Sequence, residues 1–250
     1  METKRQIELN YTQEFKIACK INNLKPEELL QYFIGHVSFY AFIGGNMEAI
    51  YLWATTVCID FKEEYGGEPQ SVTDHRIQEI SLKYIKKLTA LNMDDDVPKT
   101  LENYSSVFIM KEWSSEMLPI TDYEKQIQTS DGVLLNLTFD FNLVCRMNGT
   151  EIQGLLQYFI NRVSLARERA LNLHQPVKTD PSTAFLLLLI SKHESVKNKI
   201  LPQQEMYKEF ATRLLKLDEK QEGESNLENK IRNYNTFYLE WYNALNKNIN

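Results

Sequence analysis

Five basic or polar side chains of this 250-residue chain could bind the phosphates or bases of a nucleic acid. They are Lys16, Lys20, Asn142, Arg146 and Arg162. Lysine and arginine bind phosphate oxygens, and arginine and asparagine can also hydrogen-bond to base edges. The five can act together only if the fold brings them to one face. The elements that carry them therefore decide whether this chemistry is available.

Four of these side chains lie in two segments whose apolar residues alternate with others. The apolar positions are Phe15, Ile17, Cys19 and Ile21 in the first segment, and Phe139, Phe141, Leu143, Cys145 and Met147 in the second. A period of two is typical of a half-buried strand, so the sequence predicts strands over 15–21 and 139–147. If the two strands pair antiparallel, the four polar side chains point outward together.

Each predicted strand is followed by helices, and this order resembles the ribbon-helix-helix arrangement. In that arrangement a two-stranded ribbon enters the major groove of DNA. The resemblance implies a DNA-binding regulator, with Arg162 adding positive charge after the second strand. The outward face also holds Ala18, Asp140 and Val144, and each half has more helices than the module needs. A solvated outer face is the simpler interpretation.

The two predicted strands belong to a longer similarity between the halves of the chain. Leu9-Asn10-Tyr11-Thr12 recurs as Leu135-Asn136-Leu137-Thr138, and residues 29–34 recur unchanged as residues 155–160. Both pairs are 126 residues apart, which is close to half of the chain. The sequence therefore predicts an internal duplication, with one copy over 1–125 and the second over 126–250.

Helical periodicity and end signals predict about four helices after each strand. In the first copy they begin near residues 26, 48, 74 and 98, and the second copy has counterparts near 150, 181, 202 and 227. The predicted fold class is mainly α with a minor β component (α+β). We expect the two strands to pair near a pseudo-twofold axis, so that the copies pack as one body. Alternatively each half forms its own hairpin, with 8–12 and 134–138 as additional strands.

Motifs for catalysis or metal binding are absent from the sequence. The chain has no Gly-rich phosphate loop, no His-Glu-x-x-His and no Cys-x-x-Cys. Three widely spaced cysteines are not typical of a zinc site, and Cys19 and Cys145 are interpreted as small buried apolar residues. We therefore predict no catalytic, cofactor-binding or metal-binding residue, and we favour a protein that is not an enzyme.

Composition is that of an ordinary globular protein, with 43% hydrophobic and 25% charged residues. The net charge of −6 is uneven, because residues 1–125 carry 13 Lys and Arg against 20 Asp and Glu, whereas residues 126–250 carry 15 against 14. The sequence starts without an apolar signal segment, and no apolar run approaches the length of a membrane span. These features predict a cytoplasmic protein without membrane contact.

The functional interpretation that requires none of the missing chemistry is a protein-interaction or scaffold module built by internal duplication. It predicts an exposed apolar or aromatic patch, an unidentified protein partner, and a monomer or weak dimer. The first alternative is the ribbon-helix-helix-like DNA-binding regulator. The second is an enzyme or ligand binder whose site lies between the halves.

Overall fold

The computed structural model describes residues 5–45, 47–66, 75–94, 96–120, 124–172, 179–192 and 204–247. Helices dominate this part of the chain, and three short strands complete it. Residues 1–125 form β1 (Gln6–Ile7), α1 (Gln13–Ile21), α2 (Pro26–His36), α3 (Phe39–Phe42), α4 (Ala49–Tyr65), α5 (His75–Asn92) and α6 (Lys99–Met117). Residues 126–250 form β2 (Gln126–Thr129), β3 (Leu134–Asn136), α7 (Phe139–Met147), α8 (Ile152–Arg162), α9 (Leu165–Asn172), α10 (Pro181–Lys192), α11 (Gln204–Gln221) and α12 (Leu227–Lys247).

The three strands form one small sheet in the order β1-β2-β3. β1 pairs parallel with β2, so Gln6 lies beside Gln128, and β2 pairs antiparallel with β3. The fold class is therefore mainly α with a minor β component, as predicted. The sheet joins the two halves of the chain, but through segments other than the two predicted strands.

The predictions of strands over 15–21 and 139–147 are wrong, because these residues form the helices α1 and α7. The alternation in α1 arises because the helix is buried on two sides. Phe15 and Cys19 pack in the main core, whereas Ile17 and Ile21 pack in a second, smaller core. Apolar residues therefore cover most of the helix surface, which produces a spacing that resembles a strand.

The remaining predicted helices are present close to their expected positions. α4, α5 and α6 begin at Ala49, His75 and Lys99, within one residue of the predicted starts. The signals that helped were turn residues and prolines, since Pro26 opens α2 and Pro181 opens α10. The overlooked signal for α1 and α7 is a threonine cap.

Thr12 and Thr138 cap α1 and α7 in the same way. Each side-chain oxygen accepts a hydrogen bond from the backbone N–H three residues later, at 3.1 Å in α1 and 3.2 Å in α7. Both helices then end in a left-handed residue, Asn23 with φ 51° and Gly149 with φ 60°. The local geometry of this helix–turn–helix corner thus occurs twice, 126 residues apart.

Two glutamines connect the halves through equivalent contacts. The Gln31 side chain donates to the Asn136 carbonyl and accepts from the Asn136 N–H, both at 2.9 Å. The Gln157 side chain makes the same pair of bonds to Asn10, at 2.9 and 2.8 Å. Gln31 and Gln157 are 126 residues apart, and so are their partners Asn10 and Asn136. Each half therefore makes the same contact with the other half.

Aromatic rings at the centre of the main core also make contacts that repeat between positions 126 residues apart. The Phe33 and Phe159 rings stack with centroids 4.2 Å apart and planes 8° apart, and neither side chain is exposed. Phe15 meets Phe159 edge-on at 6.1 Å, and Phe141 meets Phe33 edge-on at 6.3 Å. Buried aromatic rings from both halves therefore meet at the seam between them.

The helical hairpins α5–α6 and α11–α12 also share their internal contacts. Trp113 stacks on Tyr84 with centroids 5.8 Å apart, and Trp241 stacks on Phe210 at 5.2 Å. Equivalent cross-hairpin ion pairs lie beside the stacks, Lys87–Glu112 in the first hairpin and Arg213–Glu240 in the second, and Lys83–Glu116 adds a further pair in the first. In the second hairpin, these aromatic residues form the smaller core into which α1 inserts.

The reciprocal glutamine contacts yield a stability prediction. Gln31→Ala and Gln157→Ala each remove two hydrogen bonds to a backbone segment of the other half. We expect each variant to lower the free energy of unfolding by about 1 kcal/mol, because these bonds lie at the edge of the core where water replaces them in part. Urea unfolding measures the loss. Gln13→Ala, at an exposed position of α1, serves as the control. If only one of the two glutamine variants lost stability, the contacts of Gln31 and Gln157 would not be equivalent.

Candidate functional site

The five residues predicted to bind nucleic acid lie on three different helices. Lys16 and Lys20 are on α1, Asn142 and Arg146 are on α7, and Arg162 ends α8. Since 15–21 and 139–147 are helical, no ribbon presents these side chains. Lys16 and Lys20 line one cleft together. Nucleic-acid binding by the five residues stays a prediction.

Asn142 and Arg162 are engaged in contacts within the fold. The Asn142 amide donates to the carbonyls of Glu124 and Thr138, at 3.1 and 3.0 Å. Arg162 forms an ion pair with Glu64, lies 3.8 Å from an Asp180 carboxylate oxygen, and stacks over the Tyr158 ring. These contacts tie α8 to α4 and to the start of α10. We therefore interpret Arg162 as a structural cation.

Burial shifts the pKa values of the carboxylates around Arg162. Burial raises the pKa of Asp180, and Arg162 together with backbone N–H donors acts in the opposite direction. Burial also raises the pKa of Asp60, followed by repulsion from Asp180 and from Glu63 and Glu64. Such clusters occur at catalytic sites. Among the described residues, however, no three His, Cys, Asp or Glu side chains form a group suited to a metal ion.

The cysteines have the environment expected of small apolar residues. Cys19, Cys58 and Cys145 are buried and unpaired with each other. Burial raises the pKa of the Cys145 thiol to about 12, and the pKa values of Cys19 and Cys58 are also well above the ordinary thiol value. A thiolate nucleophile requires the opposite shift. The prediction that Cys19 and Cys145 are buried is confirmed.

A cleft containing Lys16 and Lys20 lies where the first half meets α12 of the second half; we call it the seam cleft. Lys25, at the start of α2, adds a third lysine, and Tyr242 and Asn246 of α12 form the opposite wall. Its volume is about 590 Å³, which is within the usual size range of small-molecule sites. The sequence suggested a site between the halves but gave no reason to select Lys25 or Tyr242.

The walls of the seam cleft are fixed to one another by direct contacts. Ile17 and Ile21 of α1 pack in the smaller core against α11 and α12. The Tyr207 hydroxyl donates to the Ile21 carbonyl at 2.5 Å, and the Asn235 amide donates to the Glu14 carboxylate at 3.0 Å. The position of α1 relative to α12 is therefore set by both apolar packing and hydrogen bonds.

A second candidate surface is the outer side of α6, which is apolar and exposed. We call it the α6 face, formed by Leu101, Tyr104, Val107 and Phe108. Tyr104 is 78% exposed and Phe108 is 63% exposed, although rings of this kind are usually buried. Spacings of three and four residues place the side chains on one side of the helix.

Comparison of the halves reveals the signal that would have identified the α6 face. Glu112-Trp113 of α6 corresponds to Glu240-Trp241 of α12, a spacing of 128 residues. With this spacing, the polar residues Arg232, Asn235 and Thr236 of α12 stand where Tyr104, Val107 and Phe108 stand in α6. The α6 face is therefore a feature of the first half alone.

No protein-family model, curated protein or solved structure matches this chain. In the described part of the chain, no helix combines the length and the apolar character needed to cross a bilayer. Functional assignment consequently depends on the surfaces of the molecule itself.

The Arg162 cluster generates a pH-dependent prediction. Arg162 opposes the rise that burial causes in the pKa of Asp180 and of Asp60, so Arg162→Gln should raise both pKa values further in the folded state. The free energy of unfolding should then fall by about 1 kcal/mol at neutral pH. This decrease in stability should become smaller as the pH falls through the carboxylate range, because a protonated carboxyl is neutral and is not stabilised by the Arg162 charge.

Urea unfolding at neutral and acidic pH tests this prediction. Arg167→Gln removes the same charge from an exposed position of α9 and should change stability little at either pH. A loss in Arg162→Gln that is the same at both pH values would show that electrostatic support of the carboxylates is not the cause.

Proposed function

We propose that this chain is a non-catalytic protein-interaction module built by internal duplication. Its two copies, 1–125 and 126–250, pack as one body about a pseudo-twofold axis. Its docking surface is the α6 face, and its partner on that face is a second copy of the chain. The exposure of large apolar side chains along one side of a helix carries this proposal.

Reciprocal contacts at the seam support the duplication. In a twofold interface, if residue i contacts residue j of the partner, then j contacts i. The bonds of Gln31 to Asn136 and of Gln157 to Asn10 obey this rule within one chain. The stack of Phe33 on Phe159 is the contact expected where such an axis passes. A fused pair of identical units accounts for all of these contacts together.

The α6 face supports interaction because it is maintained in only one copy. The counterpart surface on α12 is polar, and Asn235 there contacts α1. Scattered exposed apolar residues are normal, but four on one helical face constitute a patch of the kind that marks protein-protein interfaces. Core packing does not explain these side chains, because α6 buries its other side through Ser106, Trp113 and Met117.

The charges at the two ends of the α6 face favour a second copy as the partner. Exposed Asp94 and Asp96 precede the face, and exposed Lys111 follows it. In an antiparallel pairing of two α6 helices centred near Tyr104, Leu101 of one copy opposes Phe108 of the other. Lys111, about 10 Å along the helix from Tyr104, then approaches the acidic turn of the partner copy. One antiparallel arrangement therefore satisfies both the apolar stripe and its charged ends.

The self-association prediction concerns Phe108→Glu. A carboxylate at the centre of the pairing should weaken the dimer at least about 30-fold, since truncation of a central aromatic anchor costs about 2 kcal/mol or more. Sedimentation or light scattering over a range of protein concentrations measures the effect. The thermal unfolding midpoint should change little, because Phe108 is exposed in the single chain.

Thr236→Glu is the matched control, because Thr236 occupies the corresponding exposed position of α12. It should dimerise like the unmodified chain. A chain that stays monomeric at all concentrations, or a dimer that Phe108→Glu leaves intact, would overturn the assignment of a second copy to the α6 face. The reciprocal seam contacts would be unaffected by that result.

A further inference from the structure

We infer that the seam cleft is a binding site for a small anion that carries two linked phosphate groups. The inference is independent of self-association, because the cleft involves α1, α2 and α12 but not α6. It begins from three lysines that share one cleft of small-molecule size.

The three lysines contribute positive charge that the fold leaves uncompensated. Lys16 and Lys20 are one turn apart on α1, and Lys25 stands across the corner at the start of α2. Within the described residues, none of their ammonium groups forms an ion pair or hydrogen bond. Like charges this close repel each other, and a shared anion removes that repulsion.

One carboxylate that lines the seam cleft, that of Glu28, is engaged locally. It accepts a hydrogen bond from the Lys25 backbone N–H at 3.0 Å and so stabilises the start of α2. Three ammonium groups stand against Glu28 in the lining and Glu27 beside it, whose charges both reach Cys19, so the seam cleft keeps a positive balance in a molecule whose net charge is −6. The local charge therefore opposes the overall charge, which indicates selection for an anion.

Corresponding positions in the second half do not form a basic site. The residues 126 positions after Lys16, Lys20 and Lys25 are Asn142, Arg146 and Glu151. Asn142 bonds to backbone carbonyls, and Glu151 forms an ion pair with Arg5. Helix-end stabilisation by a basic residue in the last turn requires only one cation, as at Arg146 of α7. A bound anion gives the additional lysines of the first half a shared role that their counterparts in the second half do not have.

The spacing of the charges selects the class of anion. Residues i and i+4 of a helix are about 6 Å apart along the axis, and Lys25 adds a third ammonium group from the start of α2. Two linked phosphates have enough negative charge and enough oxygens to bind all three ammonium groups at once. Lysine acts as a point charge for phosphate oxygens. Tyr242 and Asn246 close the other side of the seam cleft, where they can contact an organic group attached to the phosphates.

Calorimetric titration of the full chain with inorganic pyrophosphate and with ADP tests the inference. Both compounds should bind, and Lys16→Gln/Lys20→Gln should weaken each at least about tenfold, because charged hydrogen bonds are lost. Lys25→Gln alone should weaken binding by a smaller factor. The lysines are at the surface or half-buried, so unchanged unfolding midpoints should confirm that the variants fold.

Lys216→Gln/Lys220→Gln is the matched control. It removes the same charge from lysines one turn apart on α11, which line a different cleft of about 490 Å³, and it should leave binding unchanged. Absence of binding by both compounds, or equal loss in the two double variants, would overturn the site. Binding of oligothymidylate that pyrophosphate does not displace would also overturn it, since the occupant would then be a nucleic-acid strand.

Discussion

The stacked rings of Phe33 and Phe159 set the constraint on which the rest of the structure depends. Both are fully buried, and each comes from a different half of the chain. Either half alone would expose its ring together with the apolar face of α2 or α8, and burial of that surface is the main force that holds the halves together. The hydrogen bonds of Gln31 and Gln157 flank this apolar contact and fix its register. Neither half therefore has a complete core of its own.

The helices α1 and α7 also make each half depend on the other, because each contacts the opposite half. α1 belongs to the first half but completes the smaller core of the second half through Ile17 and Ile21. α7 belongs to the second half, and its Asp140 accepts a hydrogen bond from the Phe39 N–H at the start of α3. The position of α1 between two cores also explains why residues 15–21 resemble a strand in sequence. The pattern rules assume that an element has one apolar face, whereas α1 contacts two cores.

Periodicity and end signals were sufficient for helices that bury a single face. They located α4, α5, α6 and α10 within one residue of their starts, because turn residues or prolines mark where helices begin. They could not locate the surfaces of functional interest. Phe108 is exposed and Phe33 is buried, although each lies three or four positions from other apolar residues of its helix. Which of the two is buried follows only from the tertiary arrangement. The lysines of the seam cleft likewise acquire meaning through Tyr242, which is more than 200 positions away in the sequence.

The two halves of the chain differ on surfaces that the seam does not need. Side chains at the seam keep their partners in both halves, since a change on one side would leave a buried group unpaired or a cavity in the core. Tyr104 and Phe108 of α6, and Lys16 and Lys20 of α1, contribute little to either core and were free to differ from their counterparts. The α6 face and the seam cleft both lie in or against the first half. Under the proposed duplication, these two surfaces are therefore the places where the first half departs from the second.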